Sequence, residues 1–150
     1  MRFHFWNTFL FLFYVALAVL AYLSLSAANA LSGFIPLGDF ILMALAIERL
    51  VRLFTYDLIT AFVRNWFVDA DPESLRSTLG ALINCPWCTG LWFGLIVVFA
   101  YFAWPVAAWY AILVLALSSV GTFLQLLTNY VGWSAEEKKL DCQGITRLGR

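Results

Sequence analysis

The 150 residues are 63% hydrophobic and 12% charged, with mean hydropathy +0.86, against roughly 45–50% and about 25% in a soluble domain; so little polar surface points to lipid as solvent. Nine basic and nine acidic residues cancel, which excludes the basic footprint of a nucleic-acid-binding protein. Three cysteines exclude a complete intramolecular disulfide framework.

The first apolar run, residues 5–31, carries no charge and exceeds the roughly 20 residues that cross a bilayer. Ala28 and Ala30, behind that run, also offer a signal-peptidase pattern. The run is long for a signal core and only Arg2 precedes it, so the first span is expected to be retained. The second run, 34–54, contains Glu48, Arg49 and Arg52 in its last third. A third, 89–104, is closed by Pro105, and a fourth, 107–131, ends where the chain turns polar at 134–150. The expected architecture is therefore an all-α membrane protein, one polytopic domain over 1–133 with four transmembrane helices and a polar tail.

Basic residues set the orientation, because loops rich in Lys and Arg stay cytoplasmic. Arg2, then Arg49, Arg52, Arg64 and Arg76, then Lys138, Lys139, Arg147 and Arg150 all fall on one side if both termini are cytoplasmic, and the two outer turns carry none. Trp66, Trp87, Trp92 and Trp133 gather at the inner ends, and Trp104 and Trp109 at the outer turn, as aromatic belts do. The expected location is the bacterial inner membrane, multi-pass, with the lipid bilayer as principal partner and other membrane proteins or self-association as further ones. Between the second and third spans, Asp71-Pro72-Glu73 reads as a helix start with an acidic cap and Pro at the first position. Leu75, Leu79, Leu82 and Ile83 follow at helical spacing, which predicts a short amphipathic helix on the inner leaflet.

Charges inside a span are costly and usually partnered. Glu48 and Arg52 stand at i,i+4 with the acid first, the favourable order for a helical ion pair. Without its charged turn the second span would be only residues 37–47, too short to cross. Glu48, Arg49 and Arg52 are thus expected to face inward and pair with Asp57 or neighbouring helix ends, a structural clasp to which Arg64 contributes. The bland alternative is snorkelling at the interface.

Cys85-Pro86-Trp87-Cys88 has three readings. The thiols pack as small hydrophobes. They form a redox couple, since a helix N-terminus stabilises a thiolate. Or, with Cys142 and His4 on the same face, they make a Cys₃His zinc set. The expectation is packing with no cofactor, and zinc is the alternative. Gly90 and Gly94, and Ser118 and Thr122, repeat a small-xxx-small spacing, which predicts a tight hairpin of the last two spans.

Arg49-Leu50 and Arg52-Leu53, followed by Asp57, Thr60 and Arg64, and then Cys85-Pro86 with Cys88-Thr89 and Trp92, resemble the bacterial membrane family catalogued as domain-of-unknown-function family 1360. That family includes a sporulation-associated protein and proteins carried by bacteriophages. The resemblance spans residues 37–131, with Val63 where a proline is expected and an added first span. It implies a membrane location and no reaction. The expected function is a membrane-embedded structural or interaction module without enzymatic activity. The alternatives are a thiol redox or zinc protein, and a phage-encoded membrane-perturbing or exclusion protein.

Overall fold

The computed structural model describes residues 2–31, 33–68, 70–71 and 74–142, with the side chains of 2–4 and 140–142 outside that description. In chain order the helices are α1 (Arg2–Ala27), α2 (Leu37–Thr55), α3 (Ala61–Asn65) after a 3-10 turn at Leu58–Thr60, α4 (Leu75–Ile83), α5 (Pro86–Ala103) and α6 (Pro105–Cys142). No strand occurs among the described residues.

Three of these helices are long and apolar enough to cross a membrane: α1 over Phe5–Ala27, α5, and α6 over Pro105–Lys139. The expectation of four such helices is corrected at α2. Its 19 residues include Asp39, Glu48, Arg49 and Arg52, too many charges for a lipid-facing segment of that length. Alternation of direction nevertheless extends through α2. Tyr14 of α1 meets Trp92 of α5, and Leu17 to Ser24 run beside Leu95 to Trp104, so α1 and α5 are parallel. Asp39 reaches Tyr101 near the end of α5, whereas Val51 approaches Gly90 near its start, so α2 is antiparallel to α5.

Helix α2 is the hub, packing on α6 and α5. The core joins Met43 and Ala46 of α2 to Val97 of α5 and Ala108 and Ile112 of α6. Ala46 and Ala116 are almost completely buried, so small side chains bring these backbones close, as in membrane bundles where lipid supplies no hydrophobic drive. Outward faces carry Phe11, Leu12, Leu20, Phe123, Leu127 and Tyr130, all exposed. Such a surface suits hydrocarbon and not water.

Two boundaries differ from expectation. Helix α4 begins at Leu75, and its cap is Ser74, whose hydroxyl accepts the Ser77 N–H at 3.1 Å; Asp71 instead offers its carbonyl to the Ser74 hydroxyl at 2.8 Å. Pro72 and Glu73 lie outside the described residues. The buried residues of α4 are Thr78 and Gly80, while its leucines are only partly covered. Helix α6 continues 38 residues to Cys142, through the segment expected to be a polar tail. Gly132 alone does not stop it, because Ser134 to Lys139 are tolerable helix residues and Lys139 complements the C-terminal dipole.

Candidate functional site

The last turns of α2 hold the charges, and Arg49 and Glu48 find partners on other elements. Arg49 Nη2 lies 2.9 Å from Asp57 Oδ2, in the chain just past α2. Its Nε donates to Ser118 Oγ of α6 at 2.9 Å. One guanidinium therefore ties α2, the following turn and α6 together, using the fork geometry that lysine lacks. Glu48 accepts a hydrogen bond from the Ser119 hydroxyl. Arg52 Nη1 stands 3.7 Å from Glu48 Oε1, a looser pair, and its buried Nε has no hydrogen-bond partner among the described residues. Within the clasp, Arg49 and Glu48 both link α2 directly to α6, and Arg52 backs Glu48 from the same helix.

Arg64 closes the C-terminal end of α2. Its Nη1 donates to the Phe54 carbonyl at 2.9 Å and to Thr60 Oγ1 at 3.1 Å, while the Thr60 hydroxyl reaches the Leu53 carbonyl. These carbonyls are the orphan acceptors of a helix end, and a cation there also meets the favourable end of the dipole. Two threonines then draw three elements together. Thr55 donates to the Ile83 carbonyl at 3.2 Å, and Thr89 to the Leu82 carbonyl at 2.8 Å. The end of α4 is thus satisfied by side chains from α2 and α5. Phe54 and Phe93 rings, 5.0 Å apart, complete the seam. Ser118 lies 13 residues along α6 from Pro105, or roughly 20 Å at helical rise, less than the about 30 Å thickness of a hydrocarbon layer.

The thiol pair occupies the neighbouring helix start. Cys85 is the N-cap of α5, Pro86 takes the first helical position, and Cys85 Sγ accepts the Cys88 N–H at 3.3 Å. The two sulfurs are 2.6 Å apart. Both cysteines are free, Cys85 half-buried and Cys88 exposed. Hydrogen bonds from the Cys88 thiol and then the Cys88 N–H hold the Cys85 thiol below the usual range, against a smaller opposing effect of burial. The other two proposed ligands, the side chains of His4 and Cys142, lie outside the described residues. Among the described residues no group of three His, Cys, Asp or Glu side chains converges on a metal position.

The small-residue stripes sit elsewhere than between α5 and α6. A Cβ on Gly90 would meet Val51 of α2 at 3.6 Å, and one on Gly94 would meet nothing within 4 Å among the described residues. Ser118 is engaged by Arg49, and Thr122 bonds back to the Ser118 carbonyl at 2.9 Å. Close approach falls to Ala46, Ala108 and Ala116 instead. The sequence names Thr60 and Thr89 only within the family motif, and passes over Thr55, Ser119 and the Tyr101–Asp39 hydrogen bond of 2.6 Å. Their one sequence signal is a hydroxyl or carboxyl inside an otherwise apolar helix or at its end.

The family model "Protein of unknown function (DUF1360)" matches residues 69–128, from the approach to α4 through most of the apolar part of α6. The chain is 31% identical over 97 residues to the UPF0713 protein YngL of Bacillus subtilis, covering 57% of this chain and 75% of that one. It is 29% identical over 105 residues to the sporulation protein YjcA of the same organism, covering 59% and 89%. Both relatives are bacterial, and neither name carries the bacteriophage association that the resemblance implied. No solved structure matches the chain.

Proposed function

The chain belongs to the DUF1360 family of bacterial proteins of unknown function, and from that premise we propose that it is an integral module of the bacterial cytoplasmic membrane with a structural or interaction role. In this reading α2 crosses as a fourth helix, shielded by α5 and α6, both termini are cytoplasmic, and α4 lies at the inner leaflet. The observation that carries it is the Arg49 guanidinium, bonded at once to Asp57 and Ser118 at 2.9 Å each. A charged group at that depth is costly unless partnered, and here each bond it makes fastens one helix to another element. The alternating helix directions and the one-sided distribution of Lys and Arg support the same topology. The clasp performs no chemistry in this role: it holds the bundle while the lipid-facing and inner surfaces of α1 and α6 remain available to partners.

Reporter fusions at Gly33, Asp71, Pro105 and after Arg150 test the topology, with out, in, out and in as the expected sequence. If α2 does not cross, Gly33 and Asp71 report the same side and the proposal fails.

A further inference from the structure

The clasp makes no use of Cys85 and Cys88, and the pair stands beside a cavity. Cys88 lines a space of about 360 Å³ between α1, α4 and α5, walled also by Trp92, Tyr14, Leu82, Leu10 and Asn7. Sites for small organic molecules are typically about 300–1,000 Å³, mostly apolar, with a few polar groups that orient the ligand. This one combines leucines and three aromatic rings, Phe11 with Tyr14 and Trp92, with one side-chain amide and the Thr78 hydroxyl. The rings of Tyr14 and Trp92 lie edge to face with centroids 5.3 Å apart, fixing one wall. Cys88 is part of its wall, and its sulfur is already in contact with that of Cys85, so closing the disulfide needs only small movement. We propose that this cavity receives the head of a lipid-soluble quinone, and that the Cys85–Cys88 dithiol reduces it.

The chemistry selects the ligand class. A vicinal dithiol releases two electrons and two protons together. The oxidant that reaches an apolar cavity between membrane helices must be lipid-soluble and must accept both pairs; a quinone does. In the step, the Cys85 and Cys88 S–H bonds break, one S–S bond forms, and two electrons with two protons pass to the quinone oxygens. The products are one disulfide and one hydroquinone. The Cys85 S–H ionises first, its thiolate stabilised at the N-cap of α5, and the proton it releases is one of the two taken up by the quinone oxygens. Cys88, on the cavity wall, presents its sulfur to the ring, while Trp92 and Tyr14 offer aromatic faces and edges to a planar head and the Asn7 amide a donor to a quinone carbonyl. The inference rests on the membrane reading, because the bilayer delivers the ligand.

The test uses the full chain, purified in detergent, reduced, and mixed without oxygen with a decyl-substituted benzoquinone. Expected are one hydroquinone formed and two thiols lost per chain, with no quinone mass added to the protein. Cys142→Ser should behave as wild type, and Cys85→Ser or Cys88→Ser should form no hydroquinone. Trp92→Ala and Asn7→Leu should slow the quinone reaction at least tenfold while a water-soluble diazo oxidant still closes the disulfide at the wild-type rate. Thiols that survive the quinone but yield to the diazo oxidant would overturn the proposal. So would a covalent quinone adduct, or equal quinone rates in wild type and both cavity variants. The assay does not depend on orientation, so its failure is distinct from failure of the fusion test.

Discussion

Replacing Arg49 with leucine removes the ion pair to Asp57 and the hydrogen bond to Ser118 while keeping an apolar side chain on α2. Exposed ion pairs contribute about 0–1 kcal/mol, whereas removing one partner of a buried pair costs about 3–5 kcal/mol. Arg49 and Asp57 side chains are 18% and 31% exposed, an intermediate setting, for which about 2 kcal/mol is appropriate. An interhelical hydrogen bond within a membrane adds about 0.6 kcal/mol. The total, about 2.5 kcal/mol, corresponds to roughly a 70-fold shift in the folding equilibrium. Unfolding of the purified chain by titration with a denaturing detergent measures it. Arg49→Leu/Asp57→Leu should recover about 1–2 kcal/mol of the loss, because the stranded carboxylate is gone. Ser118→Ala alone should lose only the smaller contribution. If Arg49→Leu unfolds within 0.5 kcal/mol of wild type, the clasp is an interfacial ornament and the argument from partnered charge is wrong.

Two glycines predicted for opposite outcomes make a sharper comparison. In Gly80→Ala the new Cβ would fall 2.8 Å from Phe67 Cβ, an atom anchored to the backbone, so the contact between α4 and the turn after α3 must shift at a cost of about 1–3 kcal/mol. In Gly94→Ala the Cβ enters open space, and the same unfolding assay should show no loss or a gain of up to about 1 kcal/mol from helix propensity. Cys85, with its lowered pKa, should be alkylated by iodoacetamide at lower pH than an ordinary thiol in a Cys142→Ser background. Its thiolate fraction rises through the depressed pKa, so the pH profile is displaced downward. Cys88→Ala removes the largest cause of that shift and should move the profile back up, only in part because the Cys88 N–H remains. An unmoved profile would show that the neighbouring thiol does not stabilise the thiolate.

Composition and hydropathy alone determined the solvent, the helical class and the approximate positions of the long helices, because lipid demands apolar runs of fixed length with internally satisfied backbones. Family membership was likewise legible, in the spacing of Arg49, Asp57 and the cysteine pair. The inward role of Glu48 and Arg49 could be argued from the cost of their positions, but sequence could not say which atoms meet them. Ser118 and Ser119 lie 69 and 71 residues away from Arg49 and Glu48, and pairing at that separation is created by helix packing. For the same reason the sequence could not choose among Gly90, Gly94 and the alanines as close-contact residues. A small side chain permits approach, and only the rotation of each helix about its axis decides whether a neighbour is there. The threonine bonds from Thr55 and Thr89 to the end of α4 belong to this second kind of information, as does the cavity at Cys88. Each exists where separate helix ends converge, and convergence is a property of the assembled bundle.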